Sequence, residues 1–164
     1  MPAQDPTIRR VLYESKWPLL YHYGDLFFVQ FTDEAVAADI RFVIALILIG
    51  GMGTRLRPFT CETPKALLPV VNKPFLNYQF EILKKHGIQE AILCTSYMPE
   101  VFRRELGDGR GTGLKLRYLH EKNPLGTAGA IKNAQAWVKD TVLALNGDVL
   151  NALDITAFLK AHRA

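Results

Sequence analysis

Cysteine is scarce in this 164-residue chain, which holds only Cys61 and Cys94. Two thiols fit neither a zinc knuckle nor a disulfide framework, and a reducing cytosol is the simpler setting for them. Long apolar runs are missing too. The longest, at residues 42–49, has eight residues, where a bilayer span needs roughly 20. No basic stretch followed by an apolar one stands at the N-terminus, so no export signal is visible. These absences predict a cytoplasmic protein with no membrane partner. Internal repeats and low-complexity segments are also lacking. What is present is ordinary for a globular domain, with 49% hydrophobic and 22% charged residues. The net charge of +4 is unevenly spread: residues 44–164 carry 16 Lys/Arg against 10 Asp/Glu, and residues 1–43 carry 4 against 6. A basic surplus in the better-patterned part suits an anionic ligand, although solvated surfaces often carry as much.

The pattern changes near residue 42. Upstream, aromatic residues cluster (Trp17, Tyr21, Tyr23, Phe27, Phe28, Phe31) without sustained helical or strand periodicity. A short strand at 26–31 is conceivable there, and the rest reads as irregular. Downstream, residues 43–49 form a continuous β-branched and apolar run, the mark of a strand buried on both faces. Pro74 opens a helix that Gly87 closes. A strand at 91–95, a short helix at 99–106, a strand at 114–119, a helix at 127–138 and a strand at 141–145 follow. Asp154 is placed as the cap of a last helix reaching Ala164. Such alternation predicts an α/β fold, a mainly parallel sheet with helices on both faces.

Ligands of open parallel sheets bind outside the carboxyl ends of the strands. The first predicted strand ends directly in Gly50-Gly51-Met52-Gly53-Thr54-Arg55-Leu56-Arg57-Pro58. Glycines there let backbone N–H groups approach a phosphate or base closely, although a tight turn without a ligand explains glycines alone equally well. The loop is no dinucleotide fingerprint, because Leu56 stands at the third glycine, and no P-loop, because no Gly-Lys-Ser/Thr follows. Arg55, Arg57 and Lys65 add charge that suits phosphate, Arg as a planar fork and Lys as a point charge, although a solvated surface is the commoner place for any one of them. Asp148, in Asn146-Gly147-Asp148, stands at the end of another predicted strand. It can hold Mg²⁺, and the same three residues are ordinary turn chemistry. A third segment, Glu121 to Gly129, puts small residues where a strand hands over to a helix.

Together these segments are far more specific than any one of them. Gly50-Gly51-x-Gly53-Thr54-Arg55-Leu56-x-Pro58-x-Thr60, Pro64-Lys65, Pro69-Val70 and Asn72-Lys73-Pro74 resemble the signature of the sugar-phosphate nucleotidylyltransferases. Pro124-Leu125-Gly126-Thr127-Ala128-Gly129 and Asn146-Gly147-Asp148 follow in the same order as in that family. Within it, Tyr97-x-Pro99-Glu100 and the wording around Glu121 are most similar to the mannose-1-phosphate guanylyltransferases (GDP-mannose pyrophosphorylases).

The resemblance implies a three-layer α/β/α Rossmann-like nucleotidyltransferase fold. It also implies transfer of a nucleotidyl group from an NTP to a sugar 1-phosphate, with GTP and mannose 1-phosphate as the first expectation. Thymidylyl or uridylyl transfer to glucose 1-phosphate is the alternative enzyme, and a non-catalytic regulatory subunit the alternative class. By the same resemblance, Leu48, Gly50, Gly51, Gly53 and Thr54 would bind the nucleotide, and Gly126 and Thr127 would close over the base. Arg55 and Lys65 would be the catalytic cations, and Asp148 would hold Mg²⁺, the one expected cofactor. No nucleophile is required, so His86 and His120 are expected in ordinary polar roles. The expected partners are the NTP and the sugar 1-phosphate, not nucleic acid, with a homo-oligomer compatible. Family catalytic domains are considerably longer, so residues 43–164 are expected to be the nucleotide-binding half, without the C-terminal half. Residues 1–42 have no family counterpart and are expected to be a misread or unrelated extension ahead of a true start near Val43, with a real appendage that packs on the sheet as the alternative.

Overall fold

A computed structural model describes residues 9–11, 20–23, 26–29, 39–138 and 141–163. Among these residues nine strands and four α-helices follow in chain order: β1 (Arg9–Val11), β2 (Leu20–Tyr23), β3 (Leu26–Val29), β4 (Ile44–Leu48), β5 (Pro69–Val70), β6 (Lys73–Pro74), α1 (Phe75–Lys85), β7 (Glu90–Thr95), α2 (Pro99–Leu106), β8 (Lys115–His120), α3 (Gly126–Ala134), β9 (Val142–Asn146) and α4 (Ile155–Arg163). The main sheet runs β1-β2-β3-β9-β4-β7-β8, and β5 pairs only with β6. The four strands β9, β4, β7 and β8 are parallel, as the alternation of strands and helices predicts.

The central strands are apolar on both faces because helices cover both. On one face Ala45, Ile47 and Leu93 pack with Leu76, Phe80 and Leu83 of α1, Phe102 of α2 and Phe158 of α4. On the other, Leu46, Ile92 and Cys94 meet Ala130, Ile131 and Ala134 of α3. This is the three-layer arrangement expected from the alternation of strands and helices. Helix α1 buries Leu76, Gln79, Phe80 and Leu83, one stripe at helical spacing, and ends before Gly87 at φ +87°. Asp154 caps α4 as expected, its Oδ1 accepting from the Ala157 N–H at 3.0 Å. That bond is the main reason its carboxyl is held below the usual range. Ala164 lies outside the described residues.

Two expectations need correction. The segment ahead of residue 42 is not irregular apart from one strand. Besides β3 it holds β1 and β2, and the three form an antiparallel meander joined through β3 to β9. Strands of three and four residues are too short for alternation to stand out, and pairing on a neighbour decides them. Residues 30 and 31 of the expected strand lie outside the described residues, as does Trp17. The helix expected over 127–138 stops at Ala134 and tightens into a 3₁₀ turn, Gln135–Trp137, before extended Val138.

Candidate active site

Chain order places the site. From β4 the connections step outward to β7 and β8, then return through α3 to β9 on the other side of β4. The sheet therefore reverses direction between β4 and β9, where a crevice opens at the carboxyl ends of the strands. A cleft of about 330 Å³ lies there. Two turns bound it, one after each of these strands.

The turn after β9 is tied down from several sides. The Gly147 N–H donates to the Leu48 carbonyl at 2.9 Å, continuing the β4–β9 ladder past its last register pair, Leu48 and Asn146. A Cβ on Gly147 would fall 2.0 Å from Ile49 Cγ2 and 3.2 Å from the Leu48 carbonyl oxygen, so only glycine fits. Gln79 reaches across from α1, and its Nε2 donates to the carbonyls of Asn146 (2.7 Å) and Val149 (2.6 Å). Asp148 is thereby presented at the cleft with its side chain about half exposed (46%). Its Oδ2 lies 2.6 Å from Lys65 Nζ. Lys65 stands on a 3₁₀ turn, Lys65–Leu67, that buried Ala66 and Leu67 anchor in the core.

The loop after β4 is held at its root and open at its tip. Ser96 Oγ donates to the Gly50 carbonyl at 2.6 Å. Gly53 takes φ +60°, and its carbonyl accepts from Thr60 Oγ1 at 2.9 Å. Between these ties Gly51, Met52, Thr54, Arg55 and Arg57 are exposed.

Seven of the residues singled out from sequence come together on the cleft: Leu48, Gly50, Gly51, Lys65, Gly126, Thr127 and Asp148. Gly53, Thr54 and Arg55 do not line it, and stand instead in the loop beside it. His120 is exposed. His86 contacts Thr156 Oγ1 at 3.1 Å on α4, an ordinary polar role.

Sequence reasoning gave no role to Glu121, which also lines the cleft and is only 6% exposed. Its Oε2 accepts from the Leu125 N–H at 3.3 Å, and its own N–H donates to the Thr95 carbonyl at 2.8 Å. Its place directly after β8, at a strand's carboxyl end, was the signal available. Cys94 is buried in the cleft floor, and burial, with Glu121 nearby, pushes its thiol up to about 12. Among the described residues no three His, Cys, Asp or Glu side chains gather as a metal cage. A single exposed carboxylate suits Mg²⁺, which keeps several waters and takes phosphate oxygens as further ligands. Asp148 therefore fits that ion only in company with a phosphate-bearing ligand.

The profile of the family described as nucleotidyl transferase matches residues 44–164. The chain belongs to the nucleotidyl transferase family. Among similar members, the mannose-1-phosphate guanylyltransferase of Mycobacterium tuberculosis is 45% identical over 123 residues, 74% of this chain and 34% of that protein. The D-glycero-alpha-D-manno-heptose 1-phosphate guanylyltransferase of Campylobacter jejuni is 46% identical over 112 residues, 68% of this chain and 50% of that protein. The chain thus spans about a third to a half of the length of these curated relatives. Among solved structures, HddC from Yersinia pseudotuberculosis complexed with GMP-PN matches with a TM-score of 0.66 at 33% identity, over 73% of this chain and 53% of that one. A putative glucose-1-phosphate thymidylyltransferase from Bacillus anthracis matches with a TM-score of 0.65 at 29% identity, over 73% of this chain and 50% of that one. These neighbours share the Rossmann-like nucleotidyl transferase fold described above. No helix among the described residues is long and apolar enough to cross a membrane.

Proposed function

We propose that residues 43–164 form the nucleotide-binding half of a sugar-1-phosphate nucleotidylyltransferase, with GTP and mannose 1-phosphate as substrates. The observation that carries this reading is the cleft at the β4–β9 reversal, where Lys65 and Asp148 meet across from the Gly50 turn. In the reaction a sugar-phosphate oxygen attacks the α-phosphorus in line. That P–O bond forms as the bond to the β-phosphate's bridging oxygen breaks, and pyrophosphate leaves. Such chemistry depends on positioning and charge neutralisation rather than on a nucleophile.

Leu48, Gly50 and Gly51 would face the base and ribose, with Gly126 and Thr127 closing over the base. Gly53 and Thr54 would hold the loop in its phosphate-facing shape, and exposed Arg55 would clasp the departing phosphates with its bidentate fork. Lys65 would neutralise charge at the α-phosphate once a ligand draws it from Asp148. Asp148 would hold Mg²⁺, which when bound offsets the negative charge of the phosphates.

Glu121 favours guanine. A buried carboxylate is an acceptor only, and guanine alone among the common bases presents two adjacent N–H donors on its pairing edge. Thymine presents one N–H between two carbonyls, so the thymidylyl alternative suggested by the Bacillus neighbour fits this carboxylate less well. A cytoplasmic location accords with this reading.

The test is calorimetric titration of the chain with GTP, ATP, UTP and dTTP in Mg²⁺, followed by a pyrophosphate-release assay with mannose 1-phosphate and glucose 1-phosphate. Preferential GTP binding is expected. Equal binding of all four nucleotides would overturn the guanine assignment, and binding of none would overturn the nucleotide site itself.

A further inference from the structure

The described residues hold one buried polar side chain that serves the turn carrying Asp148 and touches neither the cleft nor any ligand position. Gln79 is 3% exposed, in the middle of the apolar stripe of α1, between Leu76 and Leu83. Both hydrogens of its amide are spent on one short stretch of chain. Nε2 lies 2.7 Å from the Asn146 carbonyl oxygen and 2.6 Å from that of Val149, so the two bonds bracket Gly147 and Asp148. The side-chain oxygen, Oε1, is buried and has no hydrogen-bond partner among the described residues. Reversing the amide would set that oxygen against two carbonyl oxygens, so the donors fix its orientation. A buried acceptor left unsatisfied costs stability, and a leucine or methionine in the same stripe would avoid that cost. What the amide supplies in return is a second anchor for the turn, opposite the one made by the Gly147 N–H on the Leu48 carbonyl. Without Gln79, Asn146 would keep a 3.4 Å bond from the Val149 N–H, and the Val149 carbonyl would lose the only donor described for it.

We propose that Gln79 is a positioning residue for Asp148: its amide clamps the carbonyls on either side of the turn and so sets where the carboxylate sits for the metal-bearing nucleotide. This rests on the reading of Asp148 given above. The distinguishing quantity is therefore the metal coupling, the ratio of the GTP Kd without Mg²⁺ to that with it, measured by calorimetry on the whole chain. Gln79→Met keeps the volume and removes both donors. The coupling should fall by about 10-fold or more, since displacements near 1 Å can cost ~100-fold in aligned sites. Metal-free GTP affinity should stay within about 2-fold of wild type. A role confined to packing would lower the melting temperature and leave the coupling alone, and that result would overturn the proposal.

Asp148→Asn separates the two layers of the reading. If it leaves the coupling intact, Asp148 is not the metal position and the underlying reading fails. If it abolishes the coupling while Gln79→Met does not, only the clamp fails. Should Gln79→Met not fold, NMR of the wild-type chain decides. The two Gln79 side-chain amide protons should be protected from exchange, and should shift with GTP plus Mg²⁺ but not with GTP alone. Unprotected protons, or shifts indifferent to metal, would refute the clamp.

Discussion

The two turns that bound the cleft leave adjacent parallel strands and are built in opposite ways. The turn after β9 is short and fastened by the Gly147 N–H and the Gln79 amide, with no room for a Cβ at Gly147. The loop after β4 is long and tied at Gly50, Gly53 and Thr60, with nothing within 4 Å of a Cβ placed on Gly51. Under the proposed function the division has a physical reason. A lone carboxylate must stand in one place to share a metal with phosphate oxygens, whereas cations that grip a departing group must be free to follow it.

The sharpest way to break this comparison is at the fixed turn. Asp148→Asn keeps the shape and removes the charge, so in an enzyme that carries both halves of the domain pyrophosphate release from GTP and mannose 1-phosphate should fall at least ~100-fold. GTP binding without metal should barely change; near-normal turnover would take Asp148 out of the site. Gly147→Ala comes next. Its Cβ would collide with Ile49 and the Leu48 carbonyl, and overpacking of this kind costs about 1–3 kcal/mol, a fall of several degrees in Tm by calorimetry. Full stability would mean that the turn is looser than described.

Effects at the open loop should be smaller and kinetic. Arg55→Lys keeps the charge but loses the fork, for an expected loss of about 10-fold in kcat/KM with unchanged Tm. An intact rate would return Arg55 to a solvated surface role. Gly51→Ala should alter stability by less than about 0.5 kcal/mol, as open surface positions do. The last contrast is one of reactivity. Cys61, just beyond the loop, is exposed, while Cys94 in the cleft floor is buried with its thiol near 12. The Cys94 thiol therefore stays protonated at pH 8, and iodoacetamide should add once, at Cys61, as mass spectrometry would show. Two adducts on folded protein would mean that the floor opens.

The parallel half was legible in the sequence because strands and helices alternate along it and because its first strand, Ile44–Leu48, is an apolar run that only a doubly covered sheet accommodates. The strand-end motifs were legible because glycines, Lys65 and Asp148 are residue types with narrow chemical uses. Gln79 and Glu121 were not. Gln79 reads as part of a helix's buried stripe, and its role exists only because α1 passes under a turn made some seventy residues later. Glu121 reads as a charged residue opening a loop, and its burial depends on what α3 and the Leu125 N–H place around it. Strands β1 and β2 of the meander escaped for the complementary reason: their order comes from pairing with a neighbour, not from any pattern of their own.

That meander also bears on how the chain is made. Strand β9 sits between β3 and β4 and pairs with both, yet it follows every other described strand in the chain. Until residue 146 is synthesised, β3 can pair only with β2 and β4 only with β7 among the described strands. During translation β3 and β4 must therefore wait for β9, and this part of the sheet joins by insertion of a later strand between two already made.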